Sequence, residues 1–242
     1  MIIEVCTDSV ASSCIAQTAG AHRIELCGSL SEGGITPSPS LISETRKAVT
    51  LQVYVLIRPR GGDFLYSASE FDIIRSDIHF CGQAGCDGVV IGLLRPDGTV
   101  DKDRCRELVE IARRYSMGVT FHRAFDRSRD LFQALEDVID LGCERILTSG
   151  GYPTALEGAQ TLRQLIEQAN DRIIVMPGAG ITPENAGDLI RITGLKEIHG
   201  SFRTLYSSKM LYRNPLLSNW ESEYTIGYAD AEKIENILHL GL

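Results

Sequence analysis

No apolar run in this 242-residue chain approaches the roughly 18 residues that a membrane-spanning helix needs. No run of lysine or arginine exceeds two, and 32 acids against 24 bases leave a net charge of −8. Neither nucleic acid nor an anionic membrane is therefore expected as a partner. The opening Met1-Ile2-Ile3-Glu4-Val5 lacks the basic n-region of a secretory signal. C-x-x-C and H-x-x-x-H spacings are missing, which removes the usual zinc frameworks. No Ser–His–Asp pattern and no linker-like or low-complexity stretch is recognisable. Hydrophobic residues at 43% and charged residues at 23% are ordinary for a folded globular chain. The seven cysteines are an odd number, spread from Cys6 to Cys143. A reduced, cytoplasmic protein with free thiols fits that count better than a disulfide framework.

Short apolar runs alternate with amphipathic stretches along the chain. Strands are expected at Ile2–Thr7, Arg23–Cys27, Gln52–Arg58, Gly88–Leu93, Gly118–His122, Arg145–Thr148, Ile173–Met176 and Glu197–Gly200. Helices are expected at 9–19, 39–48, 69–83, 101–116, 129–141, 155–169, 183–192 and 230–240, for example from the spacing of Leu108, Ile111, Ala112 and Tyr115. Gly20-Ala-His-Arg-Ile, Gly85-Cys-Asp-Gly-Val, Gly142-Cys-Glu-Arg-Ile and Gly194-Leu-Lys-Glu-Ile form an internal repeat. In each copy a glycine ends a helix and an apolar residue four positions on begins an even-numbered strand. Four copies, each two strand–helix units apart, predict an α/β fold that closes as a single (β/α)8 TIM barrel, strand 1 beside strand 8. One domain over 1–242 is expected, with an irregular segment at about 201–229 that could cover one end of the barrel.

The working end of such a barrel is the C-terminal end of its strands. Strand alternation puts Glu4, Cys6 and Asp8 on one face and Glu25 and Cys27 on one face, while Ile3, Val5, Ile24 and Leu26 face helices. Buried Glu4 and Glu25 need partners, and Arg58 or His122 is the natural one. Cys6 and Cys27 fall at matching places on adjacent strands, where two thiolates suit Cu(I); two small core residues would look the same. Cys14, Cys81, Cys105 and Cys143 fall on helices or in helix–strand turns and read as structural, with Cys86 in a turn. Arg60, Arg123, Asp126, Ser149 and His199 lie at other strand ends. Gly178 and Gly180 could offer backbone N–H groups to an anion, or simply form a tight turn. His122 could act as a general acid or base, or be a structural hydrogen-bonder. A plug of ion pairs is the alternative to a site.

Taken together, Glu4-Val-Cys-Thr-Asp-Ser9, Arg23-Ile-Glu-Leu-Cys27, Glu32-Gly-Gly-Ile-Thr-Pro-Ser38, Ile57-Arg-Pro-Arg-Gly-Gly-Asp-Phe64, Thr120-Phe-His-Arg-Ala-Phe-Asp126, Leu147-Thr-Ser-Gly150, Gly178-Ala-Gly180 and Tyr212-Arg-Asn214 resemble the copper homeostasis (CutC-like) family. The resemblance implies a TIM barrel, a cytoplasmic location and Cu(I) thiols at Cys6 and Cys27. Some relatives carry a further cysteine after the Asp-Phe of the arginine loop, where this chain has Leu65. Two functions stay open. One is a Cu(I)-binding protein that buffers or hands on copper through the two thiols. The other is an enzyme acting on a small anionic metabolite, with Arg58 and Arg60 holding a carboxylate or phosphate, His122 moving protons and Glu4 or Glu25 orienting it. A homodimer is expected for either.

Overall fold

The computed structural model describes residues 1–217 and 221–240. Eight parallel strands are wound in sequence order: β1 (Ile2–Thr7), β2 (Arg23–Leu26), β3 (Gln52–Leu56), β4 (Gly88–Ile91), β5 (Gly118–Phe121), β6 (Arg145–Thr148), β7 (Ile174–Pro177) and β8 (Glu197–Gly200). The ladder runs from β7 down to β1 and on to β8, so strand 1 does lie beside strand 8. β7 and β8 sit side by side without a ladder between them, which leaves the (β/α)8 barrel nearly closed. Around it stand α1 (Val10–Thr18), α2 (Pro39–Ala48), α3 (Ala68–Gln83), α4 (Lys102–Arg114), α5 (Leu131–Leu141), α6 (Ala159–Ala169), α7 (Pro183–Thr193) and α8 (Ala231–Leu240).

The local sequence explains these bounds. Ser9 caps α1 by accepting the Ser12 N–H, and Ser67 with Glu70 forms a capping box at α3. All four repeat glycines, Gly20, Gly85, Gly142 and Gly194, have φ between 64° and 87°, the left-handed turn that releases the chain from a helix into the next strand. The outward strand residues Ile3, Val5, Ile24, Leu26, Val53 and Val55 join helix residues such as Ile42, Ile74 and Leu108 in the main core between barrel and helices. Cys81, Cys86, Cys105 and Cys143 are buried in that layer too.

Some expectations need correction. β3, β4 and β5 stop short of Arg58, Leu93 and His122, although Ile57 and His122 still donate one N–H each to Val90 and Ile91. α5 starts at Leu131 rather than 129, because Asp130 is its cap and accepts the N–H groups of Phe132 and Gln133. α6 starts at Ala159 rather than 155, because Thr154 and Glu157 exchange hydrogen bonds in a separate turn. The stretch 201–229 is not irregular throughout. It contains an antiparallel ribbon of β9 (Arg203–Ser207) and β10 (Thr225–Ala229), held to α1 by the Ala229 N–H on Ser12 Oγ. Residues 218–220 of that stretch lie outside the described residues.

Candidate functional site

The barrel interior is built in levels. The inward residues of even strands share one level and those of odd strands the next, as tilted barrel strands require. The lowest level holds Arg23, Gly88, Arg145 and Glu197, which are the fourth residues of the four repeat copies. Above it come Glu4, Tyr54, Thr120 and Met176 from the odd strands. Arg23 pairs with Glu4 and, at 2.5 Å, with Glu197; Arg145 holds Glu197 at 2.7 Å. Both guanidinium groups also lie over the Tyr54 ring, at 5.2 and 5.3 Å. A Cβ at Gly88 would fall 2.2 Å from that ring, so glycine is what admits the tyrosine. Arg23, Arg145 and Glu197 were not singled out by sequence reasoning, yet the repeat carried them in matching positions. This floor is a plug of ion pairs, the alternative that the sequence left open, and it lies below the candidate site.

Glu4 belongs to that floor. Its expected partner, Arg58 or His122, is replaced by Arg23 and by His199, whose Nδ1 is 2.8 Å from Glu4 Oε1. Burial pushes the Glu4 carboxyl up, but Arg23 and His199 outweigh it and bring it down to about 2. The other ring nitrogen of His199 stands 3.7 Å from Glu25 Oε2. Burial, outweighed by Cys6, Glu4 and Glu25 around the ring, leaves the His199 imidazole well above its usual range.

Directly above lie the thiols. Cys6 and Cys27 have sulfurs 3.4 Å apart, and Cys27 Sγ is 3.5 Å from Glu25 Oε2. The strand register differs from the expectation, since Cys6 faces Glu25 and Cys27 comes two residues further along. The stagger between tilted strands brings the two thiols together nonetheless. Ligand atoms of Cys6, Cys27 and Glu25 all fall within 4.8 Å of one another, and all three residues are buried. The Cys27 contact and His199 bring the Cys6 thiol down to about 6 against burial. Burial and the neighbouring Cys6 push the Glu25 carboxyl up to about 8.

Above the thiols opens a cavity of about 330 Å³. It brings together Cys6, Glu25, Cys27, Arg58, His122, Arg123, Gly180 and His199 from the residues singled out by sequence. Among the described residues Arg58 pairs with no carboxylate. Its terminal nitrogens hold the carbonyls of Glu32, Gly34 and Gly62 at 2.7–3.1 Å, which fixes the loops after β2 and β3. His122 accepts the Ala124 N–H at Nδ1, 3.1 Å away. Burial, with Arg58 nearby, pushes its imidazole down to about 3, so it is neutral.

The remaining residues lie elsewhere. Arg60 points away from the cavity, held by Glu70 at 2.6 Å and by Asp63. Asp126 keeps its side chain buried and accepts N–H bonds from Ser149 and Gly151, and Arg123 bridges it to the Ser149 hydroxyl. These three side chains pin the loop after β6. Asp8 is half-buried in the turn before α1. The Gly178 N–H is taken by the Thr148 carbonyl, and its missing Cβ makes room for Leu147 and His199. Gly178 therefore serves packing, while Gly180 borders the cavity.

The model of the CutC family matches residues 1–204. The chain belongs to the CutC family. A CutC family protein of Vibrio vulnificus is 51% identical over 210 residues, covering 87% of this chain and 84% of the relative. The human copper homeostasis protein cutC homolog is 45% identical over 240 residues, covering 98% of this chain and 87% of the relative. A solved structure assigned to CutC from Streptococcus agalactiae superposes with a TM-score of 0.79 at 31% identity, over 83% of this chain and 98% of that one. CutC membership accounts for the barrel and for the order of the motifs. Which of its residues hold a ligand is a matter for the cavity itself.

Proposed function

We propose that this CutC protein binds Cu(I) between Cys6 and Cys27 and buffers or hands on copper in the reducing cytoplasm. The single observation that carries this is the pair of buried sulfurs 3.4 Å apart at the floor of an open cavity. Soft thiolates select a soft ion, and all seven cysteines are free. Taking the zinc–sulfur length of about 2.3 Å as a guide, two sulfurs sharing one ion sit about 3.8 Å apart in a bent site and about 4.6 Å apart in a linear one. From 3.4 Å the thiols therefore have to open by roughly 0.4–1.2 Å, a small movement at strand ends. Glu25 offers only a hard oxygen, and Leu65 stands where some relatives carry another cysteine, so the two sulfurs dominate the site. Among the described residues no helix is long and apolar enough to cross a membrane.

The test is titration with Cu(I) against a competing chelator. Cys6→Ser combined with Cys27→Ser is expected to remove tight binding, and each single variant to weaken it strongly. Unchanged affinity in the double variant would make the thiols core residues.

A further inference from the structure

The cavity is far larger than a metal ion between two thiols requires, and its upper part has features that copper does not use. His122 is 4% exposed. Because Nδ1 accepts the Ala124 N–H, the hydrogen of the neutral ring sits on Nε2, and Nε2 has no acceptor among the described residues. Arg58 is 7% exposed; its Nε–H has no acceptor within hydrogen-bond distance, its two terminal nitrogens are occupied, and the Tyr66 hydroxyl lies near the guanidinium. Buried donors are almost always satisfied, so two unmatched N–H groups on residues that line one cavity mark a place where an acceptor belongs. The ring is also deliberately seated. A Cβ on Gly92 would fall 2.4 Å from the His122 ring, so the end of β4 gives up a side chain to admit it. Phe64 lies against both residues, its centroid 4.9 Å from the imidazole and 5.0 Å from the Arg58 guanidinium carbon.

We propose that the cavity above the thiol pair binds a small organic carboxylate, its oxygens accepting the N–H groups of His122 and Arg58 and its carbon skeleton lying against Phe64, Leu147 and Ile181. The donors decide the class. Each residue has one free N–H, so two oxygens are matched and no fork remains for a phosphate. One negative charge is met by the fixed charge of Arg58, whose terminal nitrogens the carbonyls of Glu32, Gly34 and Gly62 already take. This site is independent of the copper reading, because neither donor comes from a thiol-bearing strand.

The experiment is calorimetric titration of the full chain, with metals chelated, using acetate, pyruvate and succinate, with acetamide and inorganic phosphate as comparisons. At least one carboxylate is expected to bind, and acetamide and phosphate not to. His122→Phe keeps the ring volume without the donor and should weaken binding tenfold or more, the loss expected for one hydrogen bond to a charged group. Gly92→Ala, which displaces the ring, should weaken it as well. Cys6→Ser with Cys27→Ser should leave it within about twofold, since each tenfold step needs a lost interaction of this kind. Binding by none of the carboxylates, preference for phosphate, full affinity in folded His122→Phe, or loss in the thiol variant would each overturn the proposal.

Discussion

Arg23→Met is expected to destabilise the protein by about 3–5 kcal/mol, the usual cost of removing one partner from a buried ion pair. The arginine is 2% exposed and holds Glu4 and Glu197 together. Methionine keeps the unbranched apolar stem but leaves Glu4 with His199 alone and Glu197 with Arg145 alone. For a chain of this size the loss corresponds to a fall of roughly 6–20 °C in Tm. Adding Glu4→Gln and Glu197→Gln to Arg23→Met should recover part of it, because the stranded charges go with the arginine. Thermal unfolding of the single and triple variants checks this. A single variant as stable as the parent would show that the floor charges do not hold the barrel.

Acid should weaken the fold through His122 in particular. In the unfolded chain its imidazole takes a proton near pH 6.5, but in the barrel only near pH 3, because burial and Arg58 disfavour the charged ring. Between those values the unfolded state binds more protons, so stability falls as pH drops. The contribution is intact above pH 6.5 and is lost progressively toward pH 3. From pH 7 to pH 5 the loss is about 2 kcal/mol. His122→Phe has no such proton to bind, so the gap between parent and variant should shift by that amount over this range. Urea unfolding at both pH values measures it. Equal pH slopes in parent and variant would show that the ring is not held neutral.

Much of this was legible in the sequence. The alternation of Ile3, Glu4, Val5 and Cys6 separates helix-facing from barrel-facing residues, and the repeat glycines mark four of the eight strand entries. What strand periodicity cannot convey is height. Whether Glu4 meets Arg23, Arg58 or His122 depends on the stagger between strands, which no single strand encodes. The stagger therefore gives Glu4 a different cation from the one its own strand suggests, and sets Cys27 two residues higher than Cys6 in register. Arg60 leaves the mouth for another reason. Its neighbours in the chain place it near the mouth, but Glu70, supplied by the first turn of α3, pulls its guanidinium away. The repeat itself held the clue to the floor, because its fourth position reads Arg23, Gly88, Arg145 and Glu197: two cations, an anion and the gap that admits Tyr54.

The copper reading stands or falls on which atoms touch the metal. X-ray absorption at the copper edge, on protein loaded with one equivalent of Cu(I), reads those atoms directly. The account predicts a low-coordinate shell of sulfur, lost when Cys6 and Cys27 are both serine. A shell dominated by nitrogen or oxygen, or a sulfur shell that survives in the double variant, would contradict it.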